Sequence, residues 1–197
     1  NIRVKVVDNA GNETVLSPTG TVTTGKVTGL TVAVGSADTW TNGTKTITIT
    51  AGNSNYSTIR YTTDGTVPTT SSTAYTKAFT VSSNCTITAV AFDSTNQVGL
   101  AATNVVTKID KLKPTGSVSV TTTTNNAKVT VTASDQAETS ANGKSGIKGY
   151  YYSKDGGSSY TSITTNTSYT FSNLSQNSTY NIRVKVVDNA GNETVLS

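Results

Sequence analysis

Apolar and polar residues alternate with a period of two along almost the whole chain. In the segment 181–188, Ile182, Val184 and Val186 fall on one side of an extended chain, and the lysine between the valines falls on the other. The segment TITIT at 46–50 alternates in the same way. Threonine is β-branched and polar, so it suits the outer face of a half-buried strand. No window has the apolar spacing of an amphipathic helix, and the pattern predicts an all-β protein.

Turn signals divide this pattern into short strands. Asn-Gly or Asp-Gly pairs at 42–43, 64–65 and 142–143 supply residues that tolerate positive φ. Six or seven short antiparallel strands in about 90 residues are typical of a β-sandwich, with a barrel as the alternative. The predicted strands are 29–34, 44–51, 58–63, 75–82, 85–93 and 98–107 in the first half, and 116–122, 127–134, 147–154, 158–162, 167–172, 179–188 and 193–197 in the second.

An exact repeat joins the two ends of the chain. Residues 1–17 and 181–197 both read NIRVKVVDNAGNETVLS, and they begin 180 residues apart. Identity over this length indicates tandem duplication, so we predict a longer protein built from such units, with residues 1–17 ending the preceding copy. Alone, that segment would expose an apolar face of Ile2, Val4 and Val6. We expect it to pair with the neighbouring domain or with another copy.

A weaker repeat divides the unit in two. CTITAVAFD at 85–93 aligns with YNIRVKVVD at 180–188, and IRYTTDG at 59–65 resembles GYYYSKDG at 149–156. This internal repeat predicts two related domains of about 90 residues each, a size within the usual range for domains. The seam is predicted where the alternation stops and charge clusters, near 108–114. The predicted division is 1–26 for the end of the preceding copy and its linker, 27–109 for the first sandwich and 110–197 for the second.

Composition excludes several classes of function. The chain of 197 residues has no histidine, one cysteine, and only 13% charged residues. It therefore lacks the residues for a Ser-His-Asp or Cys-His site, for a His/Cys zinc site or for an internal disulfide, and we predict that it is not an enzyme. The net charge of +4 is spread without a basic run, which argues against nucleic-acid binding. No apolar run is long enough to insert in a membrane.

The second half resembles bacterial immunoglobulin-like and fibronectin type III domains of surface and secreted proteins. The residues that carry the resemblance are Leu174, Tyr180 six residues later, and VVDNAGN at 186–192. In those domains the tyrosine hydroxyl forms a hydrogen bond back across a corner of the sandwich. The resemblance therefore implies a sandwich in which Tyr180 makes such a bond.

The first half resembles the C-terminal domain of chitobiase-type hexosaminidases, which recurs in bacterial surface proteins. The resemblance rests on IRYTTDG at 59–65, Pro-Thr-Thr at 68–70, Tyr75 and the strand at 87–93. It implies an accessory sandwich and carries no catalytic activity to this chain. The two resemblances together imply two tandem immunoglobulin-like or fibronectin type III-like antiparallel sandwiches in an elongated arrangement.

Aspartates that end predicted strands beside glycine or asparagine raise two alternatives. Their carboxylates cap their own backbone in Asx turns, or they contribute to calcium sites built from loop oxygens. These aspartates are Asp64, Asp93, Asp155 and Asp188. The best candidate calcium cluster is Asp135, Glu138 and Asp188, which would meet at one pole of the second sandwich. No other cofactor is expected.

Aromatic residues raise the question of a glycan-binding surface. Tyr150, Tyr151 and Tyr152 are consecutive, so at least one ring of an extended strand faces outward and could stack on a sugar. Packing and cross-strand pairing are the alternative. The same two interpretations apply to a dispersed group in the first half: Trp40, Tyr56, Tyr61 and Tyr75.

The sequence argues against two further side-chain chemistries, a reactive thiol and an isopeptide crosslink. Cys85 shares the inward face of its strand with Ile87, so we predict a small buried apolar side chain rather than a reactive thiol. A Lys–Asn isopeptide crosslink would need Lys128 or Lys185 beside Asn192. The outward alternation of Lys185 argues against that pairing.

The sequence as a whole favours a structural spacer: a stalk repeat of a bacterial cell-surface or secreted, adhesin-like protein. Neighbouring repeats of the same protein are the expected partners. The alternative is a carbohydrate-binding accessory module of a glycan-active surface protein, with cell-surface glycans as ligands. Both imply an extracellular location.

Overall fold

A computed structural model describes residues 4–8, 10–16, 27–94, 96–136 and 139–197. In these ranges the protein is all-β, and every ladder between its named strands is antiparallel. The described residues contain no helix of the length and apolarity that a membrane crossing requires. The predicted fold class, all-β with two antiparallel sandwiches, is confirmed by these sheets and their two cores.

The chain begins with a hairpin that forms a two-stranded sheet of its own. Its strands are β1 (Val4–Val7) and β2 (Glu13–Leu16), which pair with each other. The predicted pairing with the neighbouring domain is not seen among the described strands. Ile2 and the linker 17–26 lie outside the described residues.

The first sandwich packs a larger sheet against a smaller one. The larger sheet has the order β10–β8–β5–β6 with β9 beside β8, and the smaller has the order β3–β4–β7. Asn104 in the larger sheet donates a hydrogen bond to the Val32 carbonyl of the smaller at 2.9 Å, which ties the sheets along one edge. The strands are β3 (Thr31–Val34), β4 (Lys45–Thr50), β5 (Thr58–Thr62), β6 (Thr73–Ala74), β7 (Phe79–Val81), β8 (Cys85–Asp93), β9 (Asn96–Gln97) and β10 (Ala102–Val106).

The second sandwich pairs two three-stranded sheets, β11–β12–β14 and β13–β15–β16. Its core joins Val129 and Val131 of one sheet to Val184 and Val186 of the other, as the alternation in both segments predicts. This core shares no residue with the core of the first sandwich. The division at 109/110 itself stays a prediction. The strands are β11 (Thr115–Thr122), β12 (Ala127–Ser134), β13 (Ile147–Ser153), β14 (Ser168–Phe171), β15 (Arg183–Asp188) and β16 (Glu193–Leu196).

The prediction of a strand at 158–162 is wrong, because a compact turn occupies that part of the chain. Gly156 and Gly157 both have positive φ, at 79° and 96°, which turns the backbone out of the sheet. The Asp155 carboxylate then accepts hydrogen bonds from the hydroxyl and amide of Ser159 and from the hydroxyl of Ser153. Here the Asx-turn interpretation of the aspartates holds.

These hydrogen bonds, first of all the one from the Ser159 hydroxyl, lower the pKa of Asp155 well below its usual range. A carboxyl whose pKa is depressed in the folded state contributes stability above its unfolded pKa of about 3.8, and loses it as the pH falls through the folded pKa. We expect Asp155→Asn to lower the melting temperature at pH 5 and to lower it by a smaller amount at pH 2.5. Thermal unfolding at the two pH values checks this. An equal loss at both would contradict the interpretation.

Tyr152 anchors the second core through one hydrogen bond. Its ring is buried, its hydroxyl donates to the Asn166 carbonyl at 2.7 Å, and burial raises the pKa of the hydroxyl to about 12. We expect Tyr152→Phe to lower the free energy of unfolding by about 1–2 kcal/mol, because the hydrogen bond from the Tyr152 hydroxyl to the Asn166 carbonyl is lost. Urea unfolding measures the loss. Tyr151→Phe, on the opposite face of the strand, is the control and should leave stability unchanged.

Candidate metal centre at the junction of the sandwiches

The chain passes from the first sandwich to the second through a segment fixed on both sides by backbone hydrogen bonds. On the first side, Thr41 N donates to the Lys108 carbonyl at 3.1 Å, and Asp110 N donates to the Thr41 carbonyl at 2.9 Å. On the second side, Gly143 N donates to the Ile109 carbonyl at 2.8 Å. Ile109 and Asp110 are fully buried. The linker is thus an ordered part of the junction.

The two sandwiches also contact each other directly. Asn84 N donates to the Ala141 carbonyl at 2.8 Å, and Asn42 N donates to the Ala190 carbonyl at 3.1 Å. The ring of Trp40, from the turn between β3 and β4, lies over the backbone of Gly143. A Cβ atom at position 143 would come within 2.6 Å of Cζ3 of that ring. Only glycine therefore allows this approach.

Three aspartates meet at this junction. Asp110 comes from the linker, Asp135 from the end of β12, and Asp188 from the end of β15. One carboxylate oxygen from each lies within 4.8 Å of the others. All three side chains are buried, Asp110 and Asp188 completely. Sequence-distant acids are brought together because the linker enters at the pole where both strands end.

The loop 135–146 holds two of these carboxylates. Asp110 accepts hydrogen bonds from Leu112 N at 3.0 Å and Ser145 N at 2.9 Å. Asp135 accepts hydrogen bonds from Gly146 N and, at 3.0 Å, from Gln136 N. Backbone amides therefore orient both carboxylates toward one another and disperse part of their charge.

Asn192 links the third carboxylate to the linker. Asp188 accepts hydrogen bonds from Asn192 N at 2.8 Å and from Asn192 Nδ2 at 2.7 Å, and the same Nδ2 donates to the Asp110 carbonyl at 2.9 Å. Burial raises the pKa of Asp188, and the nearby Asp110 charge raises it further against those hydrogen bonds. The ion pairs found among the described residues involve none of the three acids. Three buried carboxylates this close are chemically suited to a hard cation with oxygen ligands.

The predicted cluster agrees in part with this arrangement. Asp135 and Asp188 come together as expected, whereas Glu138 lies outside the described residues. The sequence interpretation missed Asp110. The sequence feature that could have identified Asp110 is its position at the predicted seam between the two sandwiches, four residues before Pro114.

The three consecutive tyrosines separate onto two faces of β13. Tyr150 and Tyr152 are buried in the second core, so their rings offer no face to a sugar. Tyr151 lies on the outer face with Tyr160, and the Lys185 ammonium sits 4.8 Å and 5.4 Å from the two ring centroids. The predicted glycan-binding run is thus reduced to an outward Tyr151 and its neighbours.

Two of the aromatic rings considered in the first half, those of Tyr61 and Tyr75, pack with Phe79. The Tyr61 ring stacks on Phe79 with centroids 4.2 Å apart, and Tyr75 meets both at 6.4 Å. Cys85 is half-buried against the first core, and burial raises the pKa of its thiol, in keeping with an unreactive side chain.

Two residues considered for a crosslink are engaged elsewhere. Lys185 forms an ion pair with Glu193 at 3.4 Å on the outer face, and Asn192 serves the acidic cluster. Tyr180, in contrast, confirms the bond implied for it. Its hydroxyl oxygen accepts a hydrogen bond from Ser175 N at 2.9 Å.

The family comparison confirms the resemblance of the first sandwich. Residues 36–103 match the family model described as chitobiase/beta-hexosaminidase C-terminal domain. By that description the family is one domain of larger proteins, so this part of the chain is a module. A search of curated proteins found no significant match.

Solved structures with similar architecture are distant in sequence. Domains A168–A170 of titin align with 81% of this chain and 58% of their own at 15% identity and a TM-score of 0.49. Fibronectin(III)-like modules of Clostridium thermocellum CbhA align over 84% of this chain and 91% of their own chain, with 14% sequence identity and a TM-score of 0.37. Three N-terminal domains of the bacteriophage RB49 Hoc capsid protein align over 85% of this chain and 59% of their own chain, with 16% sequence identity and a TM-score of 0.39. The chain thus spans less than two thirds of the titin and Hoc structures.

Proposed function

We propose that this chain is a spacer repeat in the stalk of a bacterial cell-surface or secreted, adhesin-like protein. The observation that carries the proposal is the buried linker at 109–110, which is hydrogen-bonded to both sandwiches. A fixed junction transmits length and direction from one sandwich to the next, which a stalk requires. The exact repeat at an interval of 180 residues supports serial use of the same unit.

Small-angle scattering of the full chain tests the spacer role. The longest strands have eight or nine residues and are up to about 30 Å long, so two sandwiches end to end should give a particle of about 70–90 Å and a radius of gyration of about 25 Å. A compact globule of this length would have a radius of gyration near 16 Å. The smaller value would overturn the proposal.

Within the same proposal, calcium is the cation of the acidic cluster. Calcium takes six to eight oxygen ligands in flexible geometry, and Asp110, Asp135 and Asp188 would supply the first of them. Glu138, three residues after Asp135 in the sequence, stays a proposed fourth ligand. One ion would bind the linker and two loops of the second sandwich together, and so stiffen the junction.

Isothermal titration tests the calcium site. The full chain should bind one calcium ion, and Asp135→Asn should weaken binding at least about tenfold, as expected when one charged ligand is lost. Asp155→Asn is the matched control, because that aspartate also ends a strand in an Asx turn yet lies outside the cluster. Equal binding by both variants would refute the assignment.

A second candidate function is that of a carbohydrate-binding accessory module. The match of residues 36–103 to a domain named for chitobiase favours it, and so does the outward Tyr151 beside Tyr160. A glycan array probed with the full chain should then show a signal that Tyr151→Ala removes. Tyr169→Ala, which alters a partly exposed ring on the opposite sheet, should retain it. A chain that binds no glycan would eliminate this candidate.

A further inference from the structure

Two Asn-Gly pairs lie at the junction, one contributed by each sandwich. Asn42–Gly43 precedes β4, and Asn142–Gly143 lies between β12 and β13. The sequence contains no other Asn-Gly pair. Asparagine is a thermolabile residue, and glycine has no Cβ atom to keep its backbone nitrogen away from the preceding side chain. Each pair can therefore modify itself chemically where its surroundings leave it room to react.

The fold encloses the second pair. Gly143 is buried, and its backbone nitrogen donates a hydrogen bond to the Ile109 carbonyl at 2.8 Å. The Trp40 ring lies so close that a Cβ atom at position 143 would come within 2.6 Å of it. The side chain of Asn142 is held as well, because its Oδ1 accepts a hydrogen bond from Lys111 N at 3.3 Å. Both reacting groups of this pair are thus fixed by the junction.

The first pair is open to solvent. Asn42 and Gly43 are both exposed, and a Cβ atom at position 43 would meet only the Thr41 hydroxyl, at 3.3 Å, apart from its chain neighbours. The same hydroxyl accepts the hydrogen bond from Gly43 N at 2.9 Å, and it belongs to a side chain that can rotate away. Within the described ranges, no hydrogen bond holds the Asn42 side chain. The two pairs share a sequence but differ in their freedom to react.

We propose that Asn42 is a site of spontaneous deamidation, whereas the junction protects Asn142. The Gly43 nitrogen attacks Cγ of Asn42, a carbon–nitrogen bond forms, and the side-chain nitrogen leaves as ammonia with the proton of the Gly43 amide. The succinimide ring that results takes up one water molecule at either of its carbonyls. One opening gives aspartate, and the other gives isoaspartate, in which the main chain runs through the former side chain. The inference does not depend on the stalk role, because it rests on the two pairs alone.

The reaction changes the junction itself. Asn42 N donates to the Ala190 carbonyl of the second sandwich, and the preceding residue, Thr41, is hydrogen-bonded to the linker through both its nitrogen and its carbonyl. Both products place a negative charge beside these contacts. Isoaspartate also lengthens the main chain between Asn42 and β4, which begins at Lys45. Deamidation therefore weakens the contact with Ala190 and loosens the junction as the protein ages.

Peptide mapping by mass spectrometry compares the two pairs within one molecule. Trypsin releases them on separate peptides, 27–45 and 129–144, each with a single asparagine. After the folded full chain is incubated in mildly alkaline buffer, Asn42 should have deamidated at least about tenfold faster than Asn142, because reaction at Asn142 requires local opening of the junction. In urea, which exposes both pairs, the two rates should be similar. Equal rates in the folded chain, a faster rate at Asn142, or reaction of Asn42 only in urea would overturn the proposal.

Gly43→Ala is the matched variant, because Gly43 does not have positive φ and a Cβ atom there has room. The added methyl group hinders the attacking nitrogen, so deamidation of Asn42 should slow at least about tenfold. An unchanged rate would show that this nitrogen is not the attacking group and would also overturn the proposal.

The effect on the junction has its own measurement. Reacted wild-type chains can be separated from unreacted ones by their added negative charge. The Asn42 amide should exchange its hydrogen faster in the reacted chains, because its bond to the Ala190 carbonyl is weakened. Unchanged exchange would contradict the loosening of the junction.

Discussion

Replacing Gly143 by valine is expected to separate the two sandwiches while leaving each one folded. A Cβ atom there would lie 2.6 Å and 2.7 Å from Cζ3 and Cη2 of Trp40, well inside van der Waals contact. The ring must leave its place, and the Gly143 N hydrogen bond to the Ile109 carbonyl is lost with it. Overpacking of this kind costs about 1–3 kcal/mol. The cost falls on the junction because neither hydrophobic core includes Gly143 or Trp40.

Trp40 itself reports the outcome, since it is the only tryptophan of the chain. In the variant its emission should shift to the red as the ring becomes exposed, and the distance distribution from small-angle scattering should broaden. Far-ultraviolet circular dichroism should stay that of the wild type. Gly35→Ala is the control, because a Cβ atom there would meet only ordinary contacts at 3.4 Å or more. Unchanged emission in Gly143→Val would show that the junction does not depend on this contact.

The strands could be predicted largely from the sequence because burial follows alternation. In β4, Ile47 and Ile49 are buried and the threonines between them are exposed, as the pattern requires. The same face also buries Lys45, which no apolar pattern would place there. Its ammonium group donates to the carbonyls of Ser36, Ala37 and Thr39, which compensate its burial. Loop backbone supplies that compensation, and alternation within one strand says nothing about it.

The candidate site could be predicted only in part because it depends on how the two sandwiches are joined. Asp135 and Asp188 follow strands that end at the same pole, a relation that the sandwich architecture implies. Asp110 reaches them only because the linker runs between the sandwiches and is pinned by Thr41 on one side and Gly143 on the other. A junction made of backbone hydrogen bonds leaves no periodic signal in the sequence.

Calcium is expected to raise the melting temperature of the second sandwich substantially. A ligand that binds only the folded state stabilises it by RT ln(1 + [L]/Kd). For a dissociation constant of about 0.1 mM, at the tight end for extracellular modules, 1 mM calcium gives about 1.4 kcal/mol. In a domain of about 90 residues this corresponds to a rise of about 6–11 °C over the value in chelator. Differential scanning calorimetry of the full chain measures the rise.

The difference between calcium and chelator, rather than the melting temperature itself, distinguishes a metal site from a merely structural cluster. Each carboxylate accepts backbone hydrogen bonds, so Asp110→Asn lowers stability under both conditions. If calcium binds the cluster, the variant should also lose most of the calcium-dependent rise. If the cluster is only structural, wild type and Asp110→Asn should both be insensitive to calcium. Asp155→Asn should keep the full rise, because its carboxylate serves a turn at the far end of β13. Magnesium should reproduce little of the effect, since it demands shorter, near-octahedral coordination than three fixed carboxylates at a domain junction provide.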